Sequence, residues 1–304
     1  MVDNNIDDIM IDILMKEIFN RSTLSYPIIG SKKNIKNITR NDLIKFREKF
    51  YSPCNTIFIT VGNIEYKKIG DLLYNKIKKQ CNYKINRKEI IPKQNFPKLN
   101  ISLTESTKQI NILFGFHHNG YKQNEEYNLC SKIISTSLTE GSSSQLLESL
   151  RTKYSLAYNC SSYNIELEDT SIFMINSSVD EKRCDTAIEI ILNVLIKLIK
   201  DGLKMEEIKR CKKTLINNNK LNEKQSDILQ YYLDNSIQKT KLLTPENELK
   251  LLNKITKKEI KNGCKHIFRS NNLNLILMGK ISNKCKNKII KSLDSWYYTV
   301  KKFI

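Results

Sequence analysis

The sequence predicts an α+β fold made of a duplicated unit, an antiparallel sheet covered by helices, with the first half incomplete and the second complete. Three observations carry this prediction. Residues 37–64 (NITRNDLIKFREKFYSPCNTIFITVGNI) and 254–281 (KITKKEIKNGCKHIFRSNNLNLILMGKI) align without a gap over 28 positions, and self-similarity of that kind signals a repeated structural unit. Ile38/Ile255, Thr39/Thr256, Asn55/Asn272, Ile59/Ile276, Gly62/Gly279 and Ile64/Ile281 are identical between the copies. Second, short apolar and β-branched runs occur in pairs interleaved with pairs of helical patterns, the arrangement of a sheet with helices on it. Third, a Pro-bearing hinge, Ile90-Ile91-Pro92-Lys93-Gln94-Asn95-Phe96-Pro97, separates the two copies.

The copies lie 217 residues apart. With the second half running from residue 97 to 304, that offset sets the start of the first half roughly 120 residues before Met1. Residues 1–92 then form the C-terminal part of a first half, and residues 97–304 form a complete second half.

Along the chain, Ile6, Ile9, Ile13 and Leu14 place a helix at about Ile6–Phe19. A loop with Pro27 and Gly30 leads to a helix at about Asn41–Phe50, a strand at Thr56–Val61 and a helix from Tyr66 to Gln80. Beyond the hinge, Ile101–Thr104 and Ile110–Phe116 read as a pair of strands. Helices follow at Glu125–Leu138 and at Ser143–Tyr154, the latter capped by the Ser142-Ser143-Ser144 cluster. Ala157–Ser162 and Ser171–Ser177 return to strand character. The stripe Ala187, Ile188, Ile191, Val194, Leu195, Leu198 and Ile199, ended by Gly202, marks Asp180–Lys200 as a helix. Helices at about Glu206–Leu233 and Pro245–Asn253, the second repeat copy and a helix at Asn283–Leu293 complete the chain.

Composition narrows the function classes. The net charge of +19 rests on 43 Lys and only 8 Arg, spread along the whole length. Base and phosphate recognition favours Arg forks gathered on one face, so the charge does not indicate specific nucleic-acid binding. No run reaches the 18 or so apolar residues of a membrane span. The acidic start, Met1-Val2-Asp3-Asn4-Asn5-Ile6-Asp7-Asp8, has no basic n-region, and a cytoplasmic location is expected. The eight cysteines form no C-x-x-C pair and read as reduced, mostly buried thiols.

The ordered set of motifs resembles the insulinase/pitrilysin family of zinc peptidases, which includes processing peptidases. The stretch Leu138-Thr-Glu-Gly-Ser-Ser-Ser-Gln-Leu-Leu-Glu-Ser-Leu-Arg151-Thr-Lys-Tyr-Ser-Leu-Ala-Tyr158 is similar to that family's Gly/Ser turn, Arg-ended helix and Leu-Ala-Tyr. Tyr26-Pro27-Ile28-Ile29-Gly30-Ser31, Tyr51-Ser52-Pro53-Cys54-Asn55 with Val61-Gly62-Asn63, and Asp201-Gly202 with Met205-Glu206-Glu207 extend the resemblance over nearly the whole chain. It implies two α+β halves around a chamber in which extended peptides are cleaved. Zinc in that family is held by H-x-x-E-H and a distant glutamate in the first half, and activates a water. The three histidines here, His117, His118 and His266, make no H-x-x-E-H, and the expected position falls before Met1. No cofactor is therefore expected in this chain; zinc is expected in a homologous partner carrying H-x-x-E-H or in the segment missing from the first half.

By the same resemblance, Arg151 contacts the bound peptide and the Tyr158 hydroxyl steadies the oxygen that becomes negative during attack, a task for fixed donors. Spacing alone favours Arg151 as a cap on the C-terminal end of its own helix, where positive charge is favourable; the family pattern around it reverses that preference. His117 and His118 read as surface-loop residues pointing to opposite faces, and His266 as packed or solvent-facing at a helix end. Gly141-Ser142-Ser143-Ser144 lacks the second glycine of a nucleophile elbow and the Gly-Lys of a P-loop. Two readings follow: a metallopeptidase-like chain active only with a zinc-bearing partner, or a non-catalytic structural subunit. With its first half incomplete, the chain is expected to associate through uncovered faces.

Overall fold

A computed structural model describes residues 5–20, 22–76, 92–102, 109–120, 125–221, 224–238 and 244–304. The chain gathers into two compact units: one from residues 1–26, 90–219 and 243–304, the other from 27–89 and 220–242.

The first unit is built on a five-stranded sheet. Its strands are β1 (Lys98–Ser102), β2 (Gln109–Asn119), β3 (Ala157–Glu166), β4 (Thr170–Asp180) and β5 (Leu273–Met278). The spatial order is β1-β5-β2-β4-β3, with β1 joined to β5 in parallel and every other pair antiparallel. The two strands expected to pair across residues 101–116 are thus not neighbours, because β5 inserts between them. Such long-range pairing leaves no trace in a local apolar pattern.

Alternation sends Ile110, Ile112, Phe114 and Phe116 of β2 to one face, with Phe173 and Ile175 of β4 and Leu273, Leu275 and Leu277 of β5. Helices α5 (Glu125–Thr139), α7 (Cys184–Asp201), α11 (Lys257–Ile267) and α12 (Asn283–Lys301) cover that face and form one core with it. The opposite face carries Leu113, Ile172, Met174, Ile276 and Met278, and α1 (Ile6–Ile18) lies on it through Met10, Leu14 and Ile18. Helices therefore cover both faces rather than one. This explains why the central strands read as continuous apolar runs.

Polar side chains fix α1 in place. Asn100 donates to Glu17 Oε1 at 3.0 Å, Lys98 donates to the Glu17 carbonyl, and Asn176 donates to Asp7 Oδ1 at 2.9 Å. Leu14 presses on Gly115, where an added Cβ would lie 2.4 Å from Leu14 Cδ1. Although α1 precedes the Pro-bearing hinge, it belongs by packing to the sheet that follows the hinge.

The helices expected over about 206–233 and 245–253 are α8 (Met205–Leu221), α9 (Gln225–Gln238) and α10 (Pro245–Lys254). The last helix runs on to Lys301 because Trp296 and Val300 continue its buried stripe from Ile289 and Leu293.

The second unit contains α2 (Lys32–Asn37), α3 (Arg40–Phe50) and α4 (Tyr66–Lys76), none with a buried residue. The strand expected at Thr56–Val61 is absent: no described residue offers it a partner edge, and a strand exists only by pairing. The expected continuation of α4 through residues 77–80 lies outside the described residues.

Locally, α3 and α11 are alike. Thr39 and Thr256 each close a capping box, with Asp42 and Glu259 respectively. Asn55 donates to the Phe50 carbonyl at 2.8 Å, and Asn272 donates to the Ile267 carbonyl at 2.7 Å. Gly62 and Gly279 take φ of 147° and 145°, a region that suits glycine.

Candidate functional site

The segment carrying Arg151 and Tyr158 begins where α5 ends. Gly141, at φ 84°, turns the chain, and Arg210 donates to the Glu140 carbonyl at 2.9 Å. A short helix, α6 (Gln145–Leu147), leads into a single π turn at Glu148–Lys153. The expected serine cap is not made: Ser144 is the N-cap residue, but its buried hydroxyl finds no partner.

Leu146, Leu150 and Leu156 are buried in the core. Holding these three inward wraps the intervening residues outward, and Arg151, Thr152, Lys153, Tyr154 and Ser155 are exposed. Ser155 takes a left-handed φ of 48°, held by its N–H to the Arg151 carbonyl (3.2 Å) and by Arg183 Nη1 on its own carbonyl (2.8 Å). The Leu156 N–H donates to the Leu150 carbonyl at 2.7 Å and closes the turn. Among the described residues the Arg151 guanidinium makes no hydrogen bond or ion pair, to its own helix end or elsewhere.

Tyr158 follows at the head of β3, the edge strand. Pairing with β4 shifts register between Ala157 and Asn159, so the Tyr158 backbone occupies a bulge. Bulges re-aim side chains and recur beside active sites. The Tyr158 side chain lies outside the described residues.

A hydroxyl network that sequence reading missed anchors this strand to α5. Ser135 Oγ and Ser162 Oγ lie 2.9 Å apart, Thr139 Oγ1 and Ser162 Oγ 2.8 Å apart, and the Ser162 N–H donates to Thr139 Oγ1 at 3.1 Å. The available signal was the four-residue spacing of Ser135 and Thr139 along one helix face.

The histidines are not surface residues. His117 and His118 end β2 on opposite faces, as alternation requires, and both are buried. Burial holds their imidazoles neutral, His117 down to about 4 and His118 to about 3. His266 packs on Tyr127, ring centres 4.7 Å apart, and burial lowers it to about 4. Six cysteines are buried free thiols. Cys54 is disulfide-bonded, so the expectation of reduced thiols fails there.

Residues 37–215, more than half of the chain, match the family described as the Peptidase M16 inactive domain. The chain belongs to that family. Among curated relatives, an uncharacterized zinc protease of Rickettsia felis is 23% identical over 275 residues, covering 88% of this chain and 64% of the relative. The zinc protease YmxG of Bacillus subtilis, also uncharacterized, is 24% identical over 210 residues (69% and 50%). The zinc protease PqqE of Helicobacter pylori is 26% identical over 217 residues (68% and 48%). The M16 chain thus spans about half the length of most curated relatives it matches. Among solved structures, a peptidase M16 inactive domain from Pseudomonas fluorescens superposes with TM-score 0.79 at 16% identity, over 90% of this chain and 65% of that one. A chain of Complex III2 from Candida albicans gives 0.81 at 14%, over 95% and 71%. Both likenesses show the fold.

The relatives' names imply zinc, and the residues described here do not fit it. H-x-x-E-H is absent from the sequence. On the helix-covered face His118 lies beside Asn164, and opposite Ser171 on β4, neutral groups rather than the thiolate, imidazole or carboxylate set zinc takes. No group of three or more His, Cys, Asp or Glu among the described residues could hold a metal ion. No described helix is long and apolar enough to cross a membrane.

Proposed function

We propose that this M16 chain supplies the peptide-contacting second half of a metallopeptidase and hydrolyses peptides only when a homologous partner, or a segment completing its first half, brings H-x-x-E-H and zinc. Residues 1–92 are the tail of the first half and 97–304 the second half, and the like segments 37–64 and 254–281 are a duplicated unit. The observation that carries this reading is the family match across residues 37–215 in a sequence without H-x-x-E-H. The geometry around Arg151 supports its role: a free guanidinium on an exposed turn is available to an extended peptide, whereas a helix-capping one would be engaged at its helix end. The bulge at Tyr158, on an edge strand, suits a hydroxyl aimed at a developing negative charge. Bound zinc would supply the activated water; this chain's part is to hold the peptide and donate to the oxygen.

The test is peptide cleavage by the chain, by a zinc-bearing homologue lacking its own second half, and by the two mixed. Activity is expected only in the mixture. Arg151→Ala with Tyr158→Phe should lower kcat/KM by about a hundredfold or more, the scale of losing one oxyanion donor. Equal cleavage by the double variant would remove the assigned role. A second reading, a non-catalytic structural subunit in the cytoplasm, draws on the fold shared with the Complex III2 chain; a mixture that assembles without cleaving would favour it.

A further inference from the structure

Helices α7 and α12 run in the same direction with their first turns level. Lys288 of α12 donates to Asp185 Oδ2 of α7 at 2.6 Å, and about two turns on Leu192 and Ile196 share a groove with Ser295 and Trp296. A free cysteine stands in each first turn. Cys184 opens α7 and is fully buried, whereas Cys285 is the third residue of α12 and is 8% exposed. Neither has a part in the peptide cleavage proposed above.

The two thiols are in contact. The Cys184 S–H donates to Cys285 Sγ, and the backbone N–H of Asp185 donates to the same sulfur. That N–H belongs to the first turn of α7, whose N–H groups have no partner within the helix. Cys285 lies in the first turn of its own helix, its N–H on Ser282 Oγ at 3.3 Å. Two helix starts therefore direct partial positive charge at one sulfur, with the Lys288 ammonium beside it. Burial, and then the Asp185 carboxylate, still hold the Cys285 thiol above its ordinary value. Thiolate is a minor form there, and the small opening admits a small oxidant in preference to a bulky disulfide. Cys130 and Cys264 provide the contrast. They are buried together between α5 and α11, at 1% and 0% exposed, and lie away from either helix start.

We propose that Cys184 and Cys285 are an oxidation site for hydroperoxides, with Cys285 the attacking thiol and Cys184 the resolving one, closing a disulfide that staples the starts of α7 and α12. With hydrogen peroxide, the Cys285 thiolate attacks one peroxide oxygen and the O–O bond breaks. The sulfur is oxidised to a sulfenic acid, and the leaving hydroxide departs as water with the proton given up by the Cys285 thiol. The Cys184 sulfur then attacks the sulfenic sulfur. The S–S bond forms, the S–O bond breaks, and hydroxide leaves as water with the Cys184 proton. Two thiols and one hydrogen peroxide give one disulfide and two waters. The Asp185–Lys288 pair keeps the two helix starts level while this happens. The closed loop spans about 100 residues, so oxidation should stabilise the unit against unfolding.

The experiment treats the full chain with hydrogen peroxide, blocks remaining thiols with iodoacetamide in urea, and maps the cysteine peptides by mass. A disulfide joining Cys184 to Cys285 is expected, reversed by dithiothreitol, with Cys130 and Cys264 recovered as alkylated thiols. The oxidised chain should show a higher urea midpoint by Trp296 fluorescence, and Cys285→Ser should remove the rise. In Cys184→Ser the reaction should stop at the sulfenic acid of Cys285, trapped by dimedone. No Cys184–Cys285 disulfide at peroxide concentrations that oxidise the methionines overturns the site, as does a Cys130–Cys264 disulfide in equal yield. A Cys184→Ser chain that takes no dimedone at Cys285 overturns the assignment of the attacking thiol.

Discussion

Leu14→Ala tests whether α1 is an integral layer of the first unit. Leu14 is fully buried against Leu113, Met174 and Ile276, and no side chain at Gly115 can relax into the space it leaves. Three methyl-sized groups at about 0.8 kcal/mol each give about 2 to 3 kcal/mol of lost transfer energy, and the unfilled cavity raises the total to about 3 to 5 kcal/mol. Gly115→Ala sharpens the test. Its Cβ would meet Leu14 Cδ1 at 2.4 Å, so it should cost about 1 to 3 kcal/mol alone through overpacking. In the Leu14→Ala background the same methyl fills vacated space and should cost little or restore stability. Trp296 is the chain's only tryptophan and is buried in this unit's core, so its fluorescence in a urea titration reports this unit. The reasoning is refuted if Leu14→Ala shifts stability by less than about 1 kcal/mol, or if Gly115→Ala costs the same in both backgrounds.

Two further outcomes follow from the same unit. His117, His118 and His266 are held neutral by burial, with folded values of about 4, 3 and 4 against about 6.5 when unfolded. Their contribution is complete above about pH 6.5 and is lost as pH falls toward those folded values, at up to about 1.4 kcal/mol per pH step for His118 alone. Urea midpoints should fall more steeply from pH 6.5 to 4.5 for wild type than for His118→Gln. Asn272 donates to the Ile267 and His117 carbonyls at 2.7 and 2.8 Å; Asn272→Ala removes both bonds in a buried site, leaving the His117 carbonyl with Arg269 Nη2 at 3.3 Å, and should cost about 1 to 3 kcal/mol, read from the same fluorescence transition.

What was legible in the sequence was what neighbours along the chain decide. The stripe from Ala187 to Ile199 and the stop at Gly202 gave α7, and the spacing of Ile6, Ile9, Ile13 and Leu14 gave α1. Pairing was not legible: β5 enters between β1 and β2 from more than 150 residues away. The C-terminal helix was legible but was cut short, since Trp296 and Val300 continue the spacing of Ile289 and Leu293. At the candidate site, the motif around Arg151 and Tyr158 was visible, but the π turn at Glu148–Lys153 and the backbone bulge at Tyr158 were not. Those arise from burying Leu150 and Leu156 on either side of a short connection.

The segments 37–64 and 254–281 separate two causes that are usually confounded. Both form an eleven-residue helix with the same cap and the same asparagine closing its end, although one helix has its apolar face buried and the other has no buried residue. Local hydrogen bonding therefore suffices to set the helix and its exit turn. Only the covered segment goes on to form a strand. Extended backbone gains little by itself, because its donors and acceptors are as well satisfied by water as by a ladder until a partner excludes the water. Residues 56–61 thus carry the apolar side chains of a strand without the neighbours that make one. Whatever covers those residues has to supply the missing edge as well as an apolar surface, since a strand exists only by pairing.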